Sequence, residues 1–286
     1  MKLIGLLAKN AEASLAPRLM ARFLRKGRFS YHYQPFSVDP AQFREAYEGL
    51  KLLSGVGFNI GAPYRSIAVR YTSELSSEVI ITGAMDTLVI SGGKDKGHNV
   101  QVWAINDFLG EIGFKPDGAK AMVIGAGAAA SGAIYAFLSA GAETVWVANK
   151  TPEKAYALAA RYESMGRGRV IPVALTEGET ARVLPDCELV LHATPLGSRA
   201  VPMMFPPIRY GSLRPDAIVI DMIYDPLNTP FLVRAGHFAT RTYHGLRIFA
   251  LSLARSWSLW TGRDDARGIW ETLNEIVEPA KTSETD

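Results

Sequence analysis

A glycine-rich turn that follows a short apolar run makes the most specific structural demand in this sequence. Residues 121–124 are apolar, and the turn continues as Gly125-Ala126-Gly127-Ala128-Ala129-Ala130-Ser131. Gly125 permits a tight turn, Gly127 lets the backbone approach a pyrophosphate, and Ala130 allows a helix to pack closely on a strand. Since the start of a helix offers free N–H groups to phosphates, the pattern predicts a dinucleotide-binding turn. A turn that serves only the fold is the alternative.

The sequence around this turn has the order of a strand–helix–strand unit. A helix-like segment at 130–140 leads to an apolar run at 144–148, which ends at Asn149-Lys150-Thr151. Further strand-like runs follow at 170–173, 188–192, 217–221 and 241–243. Six strands that alternate with helical segments predict a complete Rossmann-type, doubly wound nucleotide-binding sheet.

The first third of the chain alternates in the same way. Strand-like segments occur at 2–6, 29–36, 56–60 and 85–91, and helix-like segments at 14–24, 40–53 and 99–109. A turn is predicted at 92–97, and this alternation favours a mostly parallel sheet covered on both faces. Near the end, an apolar segment with helical spacing at 246–260 stops before Gly262, and the polar tail at 281–286 is expected to fray.

Composition limits the class of protein and its partners. A chain of 286 residues is long for one compact core, so we expect two α/β domains. With 31 basic and 28 acidic residues the net charge is +3, too small to indicate nucleic acid or an anionic membrane as a partner. The single cysteine, Cys187, excludes an internal disulfide framework and fits a reducing compartment. Neither a membrane-length apolar run nor a signal pattern is present, so a cytoplasmic location is expected.

Several motif-sized stretches occur in order along nearly the whole chain. They are Ala13-Ser14-Leu15-Ala16-Pro17 in the place of His-Ser-x-Ser-Pro, Asn59-Ile60-Gly61-Ala62-Pro63-Tyr64-Arg65 for Asn-Val-Thr-x-Pro-x-Lys, Gly83-Ala84-Met85-Asp86-Thr87-Leu88 for Gly-Ala-x-Asn-Thr-Leu, Gly97-His98-Asn99-Val100-Gln101 for Gly-x-Asn-Thr-Asp, Asn149-Lys150-Thr151 for Asn-Arg-Thr, His192-Ala193-Thr194-Pro195-Leu196-Gly197 for Asn-Ala-Thr-x-x-Gly, Asp221-Met222-Ile223-Tyr224-Asp225-Pro226, and Gly245-Leu246 with Trp260-Thr261-Gly262. In register, they resemble the shikimate dehydrogenase family.

The resemblance implies a domain plan and a reaction. A substrate domain at 1–104 would be completed by C-terminal helices at 245–286, which pack back on it, and a Rossmann-type domain at 105–244 would bind the dinucleotide. The implied reaction is reversible hydride transfer between a nicotinamide and a ring hydroxyl or ketone of a shikimate- or quinate-like alicyclic acid, in aromatic amino acid biosynthesis. A homodimer is compatible with this plan.

The catalytic positions depart from the family pattern. The family's lysine and aspartate flank the reacting hydroxyl and handle its proton, and these positions hold Arg65 and Gln101. Glutamine does not exchange a proton near neutral pH, and arginine stays protonated. The family's asparagine position, however, holds Asp86. We hypothesise that Asp86 takes the charged role, paired with Arg65, whose fork suits a carboxylate. A structural Arg–Asp pair is the alternative.

The substrate-binding positions that the resemblance implies are also altered. Of the family's two serines that hold the carboxylate, Ser14 remains, and its threonine is replaced by Gly61. Asn59 and Tyr224 are retained, while Ser252 stands in the place of a glutamine. Because several hydrogen-bonding groups are lost, we expect weaker capture of a carboxylate and a best substrate other than ordinary shikimate.

For the cofactor, NADP is favoured over NAD. An acidic residue after the second nucleotide-domain strand would bind the ribose hydroxyls of NAD, but Asn149, Lys150 and Thr151 follow that strand, and Lys154 lies one turn later. The other cofactor contacts implied by the resemblance are Gly125, Gly127, Ala128, Ala129, Thr194, Pro195, Met222 and Gly245.

Two roles are considered for the histidines, titration near the cofactor and metal binding. His192 could titrate near the nicotinamide or serve as a hydrogen-bonded structural residue. His98, His237 and His244 have no metal-ligand spacing, so no metal site is predicted.

Two classes of function remain open from the sequence. One is an NADP-dependent oxidoreductase acting on a shikimate- or quinate-like acid, including an amino-substituted one. The other is a nucleotide-binding member of the family that has lost dehydrogenase turnover and serves a binding or regulatory role. They differ in whether Arg65, Asp86 and Gln101 can manage a proton.

Overall fold

The computed structural model describes residues 1–53 and 55–277. Its strands are β1 (Lys2–Ala8), β2 (Tyr31–Ser37), β3 (Gly55–Ile60), β4 (Glu74–Leu75), β5 (Thr87–Ser91), β6 (Lys94–His98), β7 (Lys120–Ile124), β8 (Thr144–Asn149), β9 (Arg169–Ala174), β10 (Leu189–His192), β11 (Ile218–Asp221) and β12 (Arg241–His244). Its α-helices are α1 (Leu15–Lys26), α2 (Phe43–Leu52), α3 (Ser77–Thr82), α4 (Val100–Glu111), α5 (Ala128–Ser139), α6 (Pro152–Tyr162), α7 (Glu177–Val183), α8 (Pro230–Ala235), α9 (Leu246–Thr261) and α10 (Ala266–Val277). The tail at 281–286 lies outside the described residues.

The chain folds into two compact units. Unit one comprises Met1–Val79, Ala84–Val100 and the chain from Ala250, and unit two comprises Ile80–Gly83 and Gln101–Phe249. The sequence places the divisions after residues 104 and 244, whereas the structure places them after residues 100 and 249. The first division lies four residues earlier than predicted, because α4 is one continuous helix and belongs to unit two from Gln101 onward.

Unit one contains a mixed six-stranded sheet with the order β2-β1-β3-β5-β6-β4. Strand β1 pairs in parallel with β2 and β3, whereas β5 runs antiparallel to both β3 and β6. The expectation of a mostly parallel sheet therefore holds for only part of unit one. A core of aromatic and aliphatic side chains, including Phe43, Tyr47, Phe58 and Tyr64, packs on this sheet.

The segment predicted as a turn at 92–97 is a turn only at its first two residues. Gly92 and Gly93 have φ angles of 59° and 77°, and they join the paired residues Ser91 and Lys94 as a two-residue hairpin. The following residues form β6, so the turn prediction was wrong from Lys94 onward. Charged residues obscured the strand, although Asp95 is buried and accepts hydrogen bonds from the amide and hydroxyl of Ser73.

Unit two contains a six-stranded sheet with the order β12-β11-β10-β7-β8-β9, and all five pairings are parallel. All six predicted strands are present. The strands run outward from the adjacent pair β7 and β10, first to β9 on one side and then to β12 on the other, which is the doubly wound arrangement. Buried side chains such as Met122, Val190 and Val219 form the core on this sheet. The predicted α/β class with a Rossmann-type unit is confirmed.

The helices of the described ranges lack the combination of length and apolarity that crossing a membrane requires. Within the same ranges, no group of three or more His, Cys, Asp or Glu side chains is placed to hold a metal ion.

Candidate functional site

In unit two, the glycine turn lies where the strand order of the sheet reverses, between β7 and β10. Parallel sheets of this kind bind ligands outside the carboxyl ends of the strands where the order reverses. Gly125 follows β7 there, with a φ of +119°, and a Cβ atom on it would lie 2.9 Å from the Ala193 carbonyl oxygen and 3.1 Å from Thr194 Cγ2. Only glycine suits both this dihedral angle and this close approach.

The start of α5 leaves room for a ligand. Gly127 is the N-cap residue of this helix, and a Cβ atom on it would meet no atom within 4 Å. Ala128 and Ala129 form the half-buried first turn, and Ala130 is fully buried against the sheet. The open space and the unpaired amides at a helix start fit a dinucleotide pyrophosphate.

Basic and polar side chains lie at the carboxyl end of the neighbouring strand β8. Asn149 ends this strand, and its side-chain amide donates to the carbonyl of Thr151 at 2.9 Å. Thr151 is the N-cap residue of α6, and Lys150 and Lys154 are exposed beside it. Since β8 is adjacent to β7, this positive region lies on the same edge of the sheet as the glycine turn.

Four polar side chains, three of them buried and Thr194 half-buried, form a hydrogen-bonded series at the ends of β10 and β11. His192 and Asp221 are both 0% exposed, and His192 Nδ1 lies 3.0 Å from Asp221 Oδ1. His192 Nε2 lies 2.5 Å from the Thr194 hydroxyl, and the Thr229 hydroxyl donates to Asp221 Oδ2 at 2.6 Å. His192 is thus hydrogen-bonded through both ring nitrogens.

The remaining predicted cofactor positions lie next to these four hydrogen-bonded side chains. Pro195 is exposed, and the amide of Met222 donates to the His192 carbonyl at 2.9 Å. At Gly245 a Cβ atom would overlap the Met222 carbonyl, so the backbone there can approach Met222 only as glycine. Tyr224 stacks on Phe249 with ring centroids 4.4 Å apart.

In unit one, Arg65 and Asp86 lie where neighbouring strands β3 and β5 meet. The backbone brings them together, since the amide of Met85 donates to the Arg65 carbonyl and the amide of Ile60 to the Asp86 carbonyl. Arg65 Nε donates to the Ile60 carbonyl at 3.3 Å. The Asp86 side chain is buried, and its Oδ1 accepts from the amide of Val100 at 2.9 Å, at the start of α4. Its carboxylate therefore also caps that helix.

A polar network connects Asp86 to three other elements of unit one. Thr87 donates to Asp86 Oδ1 at 3.0 Å, and the Thr87 and Ser256 hydroxyls lie 2.8 Å apart. Asn59 donates to the Ser256 hydroxyl at 2.8 Å and accepts from the Tyr33 hydroxyl at 2.9 Å. The network fixes the predicted residue Asn59 and orients the carboxylate of Asp86.

Sequence reasoning missed three members of this network, Tyr33, Thr87 and Ser256. Thr87 follows Asp86 within a quoted motif, and Ser256 lies four residues after the predicted Ser252, on the same helix face. That spacing could have identified Ser256, whose hydroxyl also donates to the Ser252 carbonyl. Tyr33 had no local signal because it lies on another strand.

The other predicted side chains have local structural partners. The Ser14 hydroxyl accepts from the amide of Ala16 at 3.1 Å and caps α1. At Gly61 a Cβ atom would lie 2.7 Å from the Cβ of Ala8, so a larger residue at position 61 would require Ala8 to move or to be replaced. Gln101 belongs to unit two, where its amide donates to the Ala129 carbonyl at 3.0 Å.

Unit one also buries an acidic side chain that the sequence did not single out. Glu78 is 5% exposed, and its Oε1 lies 3.5 Å from His98 Nδ1. Burial raises the pKa of Glu78, but the neighbouring polar groups, above all His98, outweigh burial and lower it to about 2.

Two family models match the chain. One, the shikimate dehydrogenase substrate binding domain, covers residues 6–88, and the other, shikimate / quinate 5-dehydrogenase, covers residues 110–196. A relative from Pelodictyon phaeoclathratiforme, named shikimate dehydrogenase (NADP(+)), is 31% identical over 97% of this chain and 98% of its own length.

Two solved structures illustrate the structural similarity. Shikimate 5-dehydrogenase from Thermus thermophilus, in complex with NADP(H) and shikimate, gives a TM-score of 0.84 at 25% identity and covers 96% of this chain and 99% of that one. Quinate dehydrogenase from Corynebacterium glutamicum, in complex with NAD, gives a TM-score of 0.82 at 26% identity and covers 95% and 98%. The two proteins differ in both the ring acid and the nucleotide that their names and complexes state.

Proposed function

The chain belongs to the shikimate dehydrogenase family, and from that premise we propose that it transfers hydride reversibly between NADP(H) and a ring hydroxyl or ketone of a shikimate- or quinate-like alicyclic acid. The observation that carries this proposal is the glycine turn at the switch between β7 and β10, where the start of α5 opens into free space. A dinucleotide bound there supplies the hydride acceptor or donor.

NADP is the cofactor, as the sequence predicts, and relatives from Pelodictyon phaeoclathratiforme and Moorella thermoacetica are named for it. The exposed Lys150 and Lys154 beside Asn149 and Thr151 would hold the 2′-phosphate, because two ammonium groups favour a dianion at that edge. Gly125, Gly127 and the first turn of α5 would hold the pyrophosphate.

The substrate side of the proposal rests on Arg65 and Asp86. Oxidation of a hydroxyl releases a proton, and Asp86 is the acidic group among the three catalytic candidates. Its carboxylate is oriented by Thr87 and by the amide of Val100. Arg65 would hold an anionic group of the ring acid through its planar fork. Ser14, Asn59, Gly61, Tyr224 and Ser252 remain the proposed substrate-binding set.

A second candidate function is nucleotide binding without turnover. The observation that favours it is the engagement of Gln101, whose amide donates to the Ala129 carbonyl and cannot exchange a proton. In that case the chain would bind NADP and serve a binding or regulatory role.

Absorbance at the nicotinamide band decides between the two. The intact protein is mixed with NADP and, separately, shikimate, quinate and an amino-substituted ring acid. Turnover of any of them supports the dehydrogenase. Stabilisation against heat by NADP, with no turnover across the panel, supports the binding protein and overturns the dehydrogenase proposal.

The proposal also includes a cytoplasmic location, and it is compatible with a homodimer. The single cysteine supports the cytoplasmic location, because it fits a reducing compartment. Cell fractionation and the molar mass measured by light scattering test the two expectations.

A further inference from the structure

With a neutral His192 ring, the hydrogen-bonded series Thr194, His192, Asp221 and Thr229 has one consistent set of hydrogen-bond directions. Asp221 Oδ1 accepts from the amide of Ile223 at 3.0 Å, and Oδ2 accepts from the Thr229 hydroxyl. The Thr229 hydroxyl in turn accepts from the amide of Leu232, which leaves its own hydrogen for Asp221. An acceptor surrounded in this way is an ionised carboxylate, so the third partner, His192 Nδ1, must carry a hydrogen and donate it.

The same reasoning fixes the direction of the Thr194 hydroxyl hydrogen at the other end of this series. A neutral imidazole with its hydrogen on Nδ1 can only accept at Nε2, and Nε2 lies 2.5 Å from the Thr194 hydroxyl. That hydroxyl already accepts from the amide of Leu196 at 3.3 Å. Its only hydrogen is therefore donated inward to His192.

The methyl group of Thr194 packs against the glycine turn. Thr194 Cγ2 lies 3.1 Å from the position that a Cβ atom on Gly125 would take, directly across the switch point from the glycine turn. We propose that His192 is a neutral positioning residue that holds the Thr194 hydroxyl away from the glycine turn, so that Thr194 presents its methyl group to the turn that would bind the dinucleotide. This inference rests on the proposed function, because it assumes that NADP binds at this turn.

The histidine tautomer is the first test. The chain has five histidines, so a long-range ¹H–¹⁵N spectrum of the intact protein labelled in histidine is tractable, and His192→Asn assigns the resonance. We expect His192 to be neutral with its hydrogen on Nδ1. A hydrogen on Nε2, alone or together with Nδ1, would overturn the proposed direction of the Thr194 hydroxyl.

Two substitutions at Thr194 separate its methyl group from its hydroxyl. Thr194→Val keeps the methyl group, and we expect it to bind NADP more tightly than Thr194→Ser, even though the buried His192 Nε2 loses its donor and stability falls. Thr194→Ser keeps the hydroxyl and loses the methyl, and we expect NADP affinity to fall about fivefold, as for one buried methyl group. A purely structural role would lower stability without this order of affinities.

Thr180→Val is the matched control. Thr180 is buried in unit two, and its hydroxyl donates to the carbonyl of Thr176, the N-cap residue of α7. We expect a loss of stability with unchanged NADP affinity. If Thr194→Val weakens NADP binding more than Thr194→Ser, the inference is wrong and the proposed function stands. If the parent protein binds no NADP, the proposed function fails, and the role of Thr194 toward the ligand fails with it.

Discussion

The two units of this protein use their predicted functional residues in different ways. In unit two the candidate cofactor site is formed largely by backbone, through the dihedral angle of Gly125 and the open helix start at Gly127. In unit one the candidate substrate residues are side chains that hydrogen-bond to one another, as Asn59, Thr87, Ser256 and Asp86 do. Backbone geometry constrains sequence to a few small residues, whereas a side-chain network can change its chemistry by single substitutions. We therefore expect single substitutions to change the chemistry of unit one more readily than the backbone conformation of the glycine turn.

The largest expected effect tests the backbone half of this comparison. Gly125→Ala should lower the free energy of unfolding by about 2–5 kcal/mol, because it combines a left-handed dihedral angle with overlap on the Ala193 carbonyl. Chemical denaturation measures it. Gly127→Ala is the control, since its Cβ would enter open space, and it should leave stability within about 0.5 kcal/mol while weakening NADP binding. Equal stability of the two variants would contradict the structural assignment.

The next largest effect is the pH dependence of stability that a buried side chain of unit one contributes. The pKa of Glu78 is about 2 in the folded protein, below the ordinary value of 4.5, so its charge stabilises the fold above pH 4.5 and this contribution is lost as pH falls toward 2. The difference corresponds to at most about 3 kcal/mol. Glu78→Gln should be less stable than the parent at neutral pH, and the gap should close in acid.

Unfolding midpoints between pH 2 and 7 measure this effect. Glu275→Gln is the control, because Glu275 pairs with Arg22 and Lys26 at the surface and its pH dependence should be much smaller. A constant gap between Glu78→Gln and the parent at every pH would show that the Glu78 charge contributes nothing.

A smaller effect sharpens the substrate half. Asp86→Asn introduces the residue that the resemblance implies at this position, and we expect kcat to fall roughly ten- to hundredfold, since the acidic group of the proposed site is lost. NADP affinity should not change, because the proposed NADP-binding residues lie in unit two. Steady-state kinetics and a binding titration measure both.

Asp95→Asn is the control for that loss, because Asp95 is also a buried acid of unit one with backbone and hydroxyl donors. It should lower stability and leave kcat in place. If Asp86→Asn alters neither turnover nor substrate affinity, Asp86 serves only to cap α4.

The smallest effect tests the cofactor preference. Replacement of both Lys150 and Lys154 by methionine should reduce the preference for NADP over NAD about five- to tenfold, because exposed charge pairs contribute about 1 kcal/mol. Thermal midpoints with each nucleotide measure it. Lys115→Met, another exposed lysine of unit two, should leave the preference unchanged. Equal protection of the parent by NAD and NADP would contradict the preference itself.

The sequence by itself determined the strands of unit two and the glycine turn that follows β7. Parallel strands buried on both faces appear as continuous apolar runs, so β7, β8, β10 and β11 were visible. Strand β6 was not, because its charged residues alternate on a hairpin, and their burial depends on partners such as Ser73. The motif order also determined the family, since its members are spread over nearly the whole chain.

Only the tertiary structure decided what the polar side chains do. Asn59 and Ser256 are 197 positions apart, and His192 and Asp221 are 29 apart, so their hydrogen bonds follow from strand order and register, which no local pattern encodes. The capping of α4 by Asp86 and the attachment of Gln101 to the Ala129 carbonyl are of the same kind. Local sequence fixes backbone conformation, whereas the partner of a buried polar group is fixed only when distant segments pack.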